Sequence, residues 1–148
     1  MNVTGSTTIA APQKKVFQYL TNPEFVSKCA PGLEKLEVIE EGKKFKGTVS
    51  VGLGNLKVRF SGDLEFTEIV APNKATLKAH GAAPGSAVDA TATMLLSDAG
   101  DGVTKLDWSA DISVLGTIAA LASRMMGSVT QKLSGEFFDC AKKQIEAS

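Results

Sequence analysis

The sequence predicts an α+β fold: a curved antiparallel sheet of about seven strands wrapped on one long C-terminal helix, with two short helices after the first strand. Three observations carry this. From Gly116 to Ile145 the chain has no proline, and Ile118, Leu121, Met125, Met126, Val129, Leu133, Phe137, Phe138 and Ile145 recur three or four residues apart. That is one apolar stripe on a helix of ~30 residues, roughly 45 Å long. Most of the preceding chain alternates apolar with polar residues at period two, the signature of a sheet with one wet face. Turn pairs separate those runs at hairpin spacing.

The elements follow in order. Asn2 to Ile9 alternates and is rich in Thr and Val, so it reads as a strand. Pro12 opens a short amphipathic helix to Leu20 that buries Val16, Phe17 and Leu20. Asn22-Pro23 interrupts it, because a residue before proline avoids the helical region. Glu24 to Cys29 is a second short helix, stopped by Pro31-Gly32. Leu33 to Glu40 is the next strand, turned at Gly42 to Lys44. Phe45, Gly47, Val49, Val51 and Leu53 share one face of the following strand. After Gly54-Asn55, Leu56, Val58, Phe60, Gly62, Leu64 and Phe66 continue that face. Pro72-Asn73 leads into Lys74 to Gly81, then a small-residue stretch, Gly81 to Ser86. Val88 to Leu96 is a sixth strand. After Asp98 to Gly102, Leu106, Trp108, Ala110, Ile112 and Val114 line the seventh. There is no linker and no repeat, so residues 1–148 read as one domain.

Composition excludes several functions. The 16 basic and 16 acidic residues cancel, so no bulk field points to nucleic acid. The Lys43, Lys44, Lys46 cluster fits a solvated hairpin end or a contact with an anionic surface. The N-terminus lacks a basic stretch followed by an apolar run, and no window is apolar enough to span a bilayer. Cys29 and Cys140 are far apart with no metal-ligand spacing. The expectation is two reduced, packed thiols in a cytosolic protein.

Catalytic groups are scarce. His80 is the only histidine, so metal centres and Ser-His-Asp arrangements are poorly supplied. Alternation puts it on the solvent side; the other reading is a general base beside an apolar hollow. Asp89, Asp107 and Asp111 alternate with apolar residues and are expected to face water.

Several segments together resemble one family across the whole chain. Ala30-Pro31-Gly32-Leu33-Glu34, the Phe45-Lys46-Gly47-Thr48-Val49-Ser50-Val51 strand, Ala83-Pro84-Gly85-Ser86, and Ser123 to Lys132 leading into Phe137-Phe138 are similar to the CoxG family of carbon monoxide dehydrogenase proteins. That family sits within the helix-grip superfamily of START and birch-pollen-allergen proteins. The resemblance implies a cytoplasmic accessory protein, at the inner face of the cell membrane, for a molybdenum-containing carbon monoxide dehydrogenase or related hydroxylase. It also implies a quinone, menaquinone or ubiquinone, held non-covalently to pass electrons to the respiratory chain. No metal, covalent cofactor or nucleic acid is expected.

In this fold, sheet curvature limits how closely sheet and helix approach. Small residues on both layers (Gly47, Gly62, Ala75, Ala79, Ala90, Ala92 and Ala110 against Ala119, Ala120, Ala122 and Gly127) then either tighten the packing or leave space. If space is left, its lining is expected from Val49, Val51, Val58, Phe60, Leu64, Leu77, Ala79, Ala90, Ala92, Met94, Trp108, Ala110 and Ile112 on strands, and Leu121, Met125, Met126, Val129 and Leu133 on the helix. Its entrance is expected at Gly81, Pro84, Gly85 and Gly116, where flexibility is cheapest. Three functions remain open on these residues: a carrier of a hydrophobic molecule, a cyclase or hydrolase, and a docking protein with a filled core.

Overall fold

A computed structural model describes residues 1–148. The elements run β1 (Asn2–Ile9), α1 (Gln13–Leu20), α2 (Pro23–Cys29), β2 (Leu33–Glu40), β3 (Lys44–Leu53), β4 (Leu56–Val70), β5 (Lys74–Ala83), β6 (Ser86–Gly100), β7 (Val103–Gly116) and α3 (Ala119–Ala147). All seven strands form one antiparallel sheet in the order β1-β7-β6-β5-β4-β3-β2. Six strands are joined as consecutive hairpins. β1 pairs instead with β7 at the far edge, because α1 and α2 carry the chain from one edge to the other.

Local chemistry sets the helix ends. Pro12 precedes α1 with φ −62°, the value its ring fixes. The Asn22 side chain accepts the Glu24 amide at 3.0 Å and Pro23 occupies the first turn of α2, where no N–H is needed. Gly32 leaves α2 with φ +77°, and any side chain there would strike the Ser50 carbonyl, which accounts for the glycine of the Ala30 to Glu34 segment. The Gln13 amide donates to the Pro72 carbonyl at 3.0 Å and to Asn73 Oδ1 at 2.8 Å, tying α1 to the β4–β5 turn.

The core is divided. One cluster packs α1, α2 and the C-terminal end of α3 (Ala141, Ile145) against Ile9, Ala75, Leu96 and Leu106. Its one buried hydroxyl, Thr104, donates to the Ala11 carbonyl at 2.7 Å. A small second cluster, Leu53, Val58 and Phe60, sits at the β3–β4 tip under Ile118, Leu121 and Met125 at the other end of the helix segment. Between them α3 is not packed on a filled interior: only Ala122, Ala141 and Ile145 of its 29 residues are buried, and the rest of its apolar stripe is half-buried.

The expectation of two reduced thiols is corrected. Cys29 at the end of α2 and Cys140 on α3 form a disulfide, their Cα atoms 5.4 Å apart. Packing α2 across α3 juxtaposes residues 111 apart in sequence, and no local pattern carries that information. The argument from reduced thiols to a cytosolic compartment falls with it. A bond closing so long a loop restricts the unfolded chain strongly. Reduction, or Cys140→Ser, is therefore expected to lower unfolding free energy by about 2–5 kcal/mol in urea titrations, with the native far-ultraviolet dichroism retained.

Candidate functional site: an apolar hollow under the long helix

Three glycines from adjacent strands, Gly47, Gly62 and Gly81, stand in one register row on the inner face of the sheet. A Cβ on Gly62 would meet the His80 carbonyl oxygen at 1.8 Å, and one on Gly47 the Lys35 carbonyl at 2.8 Å. The strands therefore approach one another here more closely than any side chain allows. The row removes side-chain volume from the floor just where α3 passes overhead.

Above it lies a hollow of about 400 Å³. Its floor and walls come from β2 to β7, including Leu36, Phe45, Val51, Phe60, Leu64, Val88 and Val114. Ile118, Ala122, Met126, Val129 and Leu133 close it from the helix side. Of its 24 bordering residues 17 are hydrophobic, so the wall is an oily one. Asp63 and His80 also border it, but their side chains lie on the opposite, wet face. His80 Nδ1 is 2.6 Å from Asp89 Oδ1 across β5 and β6, with both side chains about 55% exposed. The solvent-side reading of His80 holds.

A second, smaller chamber of about 200 Å³ lies next to the first, under the α1–α2 corner. Leu20, Pro23, Val26, Phe66, Leu106, Phe137 and Phe138 enclose it together with Leu77, Met94 and Trp108. Leu36, Phe45 and Leu64 border both chambers. Trp108 packs against Gly5 on the neighbouring strand; a Cβ at Gly5 would lie 2.5 Å from the indole.

The expected lining residues sort accordingly. Val49, Val51, Phe60, Leu64, Ala79, Ile112, Met126, Val129 and Leu133 border the main hollow. Leu77, Met94 and Trp108, with Leu64, border the second chamber. Val58, Leu121 and Met125 border neither, because they fill the small cluster at the β3–β4 tip, where the Met125 thioether lies over Gly54. Ala90, Ala92 and Ala110 share the inner rows with Leu64, Leu77 and Ile112. They also border neither chamber; the larger neighbours form the wall in their place.

The entrance is corrected too. Gly81 borders the hollow, but Pro84, Gly85 and Gly116 do not. Their turns are stitched together: the Thr117 amide donates to the Gly85 carbonyl at 3.0 Å, and the Ser86 and Thr117 hydroxyls lie 3.2 Å apart. Gly116, at φ +98°, packs its backbone against the same carbonyl. The residues missed in the sequence are chiefly Leu33, Leu36 and Phe45 on the β2–β3 edge. Their alternation marks a face but not which part of α3 passes over it.

The outer face at that edge is held by charge. Glu34 takes two hydrogen bonds from the Arg59 guanidinium, both 2.8 Å, and one from the Ser50 hydroxyl at 2.7 Å. The Arg59 bond, then the Ser50 bond, holds the Glu34 carboxyl below its usual 4.5.

A sheet that curls round a long helix, with an oily hollow kept between them, defines the helix-grip class of protein. Comparisons with known proteins agree. The sequence model of the carbon monoxide dehydrogenase CoxG family matches residues 5–146, and the chain belongs to that family. A conserved protein from Geobacillus kaustophilus is 30% identical, with TM-score 0.92 over 100% of this chain and 97% of its own. The Zhui aromatase/cyclase from Streptomyces sp. R1128 superposes with TM-score 0.76 at 16% identity, covering 99% of this chain and 93% of that one. Norcoclaurine synthase from Thalictrum flavum does so with TM-score 0.68 at 13% identity, covering 98% and 92%. The latter two share the fold. No curated protein matches the chain.

Because the folded Glu34 value is lowered, its ion pair is complete above 4.5 and is lost as pH falls below that, through the lowered value. Amide exchange in β2, corrected for intrinsic rate, is expected to quicken below pH 4.5. Glu34→Gln is expected to show the faster exchange already at neutral pH.

Proposed function

We propose that this chain is a non-enzymatic carrier of a quinone, menaquinone or ubiquinone, acting as accessory to a molybdenum-containing carbon monoxide dehydrogenase or related hydroxylase. In this reading it links the enzyme to the membrane respiratory chain from the inner face of the membrane. In this reading the link is a peripheral contact; no helix of the chain is long and apolar enough to cross a membrane. The family membership supports the enzyme partner.

The observation that carries the reading is the hollow of about 400 Å³ with its wall of aliphatic and aromatic side chains. Its volume falls in the range of ordinary small-molecule sites. Each methylene buried adds about 0.8 kcal/mol. A cyclase or hydrolase would need an acid or base aimed inward; the two titratable residues that border this hollow, Asp63 and His80, stand on strand positions of the wet face, and most of the wall is apolar.

Native mass spectrometry after gentle purification is expected to show a co-purifying quinone or lipid. Added menaquinone or ubiquinone is expected to raise the melting temperature. Ala79→Trp, which puts an indole into the hollow, is expected to weaken quinone binding at least tenfold while keeping the fold. Recovery of bare protein with no thermal shift from either quinone would instead favour a docking protein. Unchanged affinity in Ala79→Trp would place the quinone elsewhere.

A further inference from the structure

The second chamber has no part in the carrier reading as stated, yet it is built like the first. Twelve of its fourteen bordering residues are hydrophobic, so it suits hydrocarbon better than a polar head group. It adds half as much volume again to the main hollow. Along α3 the main hollow is roofed from Ile118 to Leu133 and the second chamber continues at Phe137 and Phe138. The two therefore lie end to end over ~30 Å of helix.

Three side chains border both chambers. Leu36, Phe45 and Leu64 come from three adjacent strands, with Phe45 and Leu64 directly paired. Phe45 is buried and braced edge-on by Phe66, ring centroids 6.1 Å apart. Leu36 and Leu64 are half-buried and border open volume on both sides. Such leucines change rotamer without moving backbone.

We propose that the chamber under the α1–α2 corner is a chain-end subsite: the far end of a long alkyl or isoprenoid tail passes the Leu36–Leu64 partition and lodges against Trp108, so the protein selects its guest by tail length. This rests on the carrier reading and deepens it. The head group stays in the main hollow. Short-tailed guests occupy the main hollow alone and gain nothing from the second chamber.

Trp108 is the single tryptophan; it borders the second chamber and not the main hollow, and its outer side also lines two open, mostly polar surface grooves beside Gly5, so the quenching is read together with its loss in the chamber variant below. A bromine atom quenches indole fluorescence only near contact. The full chain is titrated with 16-bromohexadecan-1-ol and 8-bromooctan-1-ol, with calorimetry on each and the unbrominated alcohols as controls. The long probe is expected to quench Trp108 emission by more than half. The short one is expected to bind without quenching. Leu77→Phe, which narrows only the second chamber, is expected to weaken the long alcohol about tenfold with loss of its quenching, and to leave the short one unchanged. Met94→Phe serves the same purpose if Leu77→Phe fails to fold. Binding of the long probe without quenching, equal quenching by both probes, or equal loss of both alcohols in the variant would overturn the subsite and leave the carrier reading standing. Binding of neither alcohol would overturn both.

Discussion

A straight rod laid inside a curved sheet can touch it at the ends and still stand clear of it in the middle. That constraint organises this molecule. At its C-terminal end α3 buries Ala141 and Ile145 against Ile9, Val16 and Leu106, and the Cys29–Cys140 bond adds a covalent tie to α2. At its other end, Ile118, Leu121 and Met125 rest on Leu53, Val58 and Phe60. With both ends clamped, the intervening turns span the arc like a chord. Met126, Val129 and Leu133 consequently face open volume, although their spacing is that of ordinary core residues.

The sheet supplies the other half of the geometry. Strands twist because of backbone sterics, but a deep curl needs places where the chains approach closely. Gly47, Gly62 and Gly81 provide them in adjacent strands, and their missing side chains deepen the floor. The cost of a poorly filled interior is carried by the large cluster under α1 and α2, which holds 12 of the 19 buried residues. The larger packed cluster and the main hollow thus lie toward different ends of one fold.

The two faces of the sheet divide the chemistry. Outward positions carry cross-strand pairs such as Glu34–Arg59, Lys74–Glu68 and His80–Asp89, all largely exposed and each worth little alone. Inward positions carry hydrocarbon. In the proposed carrier role such a wall would select a guest by shape and length, since few polar groups line it.

Much was legible in the sequence because periodicity is local. The ten elements, their order and the inward face of each strand follow from alternation at two, recurrence at three to four, and the breaks at Pro23, Pro31, Gly54 and Pro72. The apolar character of the hollow follows from the same faces. The tertiary structure alone decided which inward residues border open space. Ala92 and Met126 carry equally plausible signals, yet only Met126 does so, because the outcome depends on the distance to an element far away in the chain. For the same reason it decided the Cys29–Cys140 bond, the stitched turn at Gly85 and Gly116, and the second chamber under α1 and α2. Sequence patterns state which way a side chain points; how far it is from what it points at is set by the packing of the whole chain.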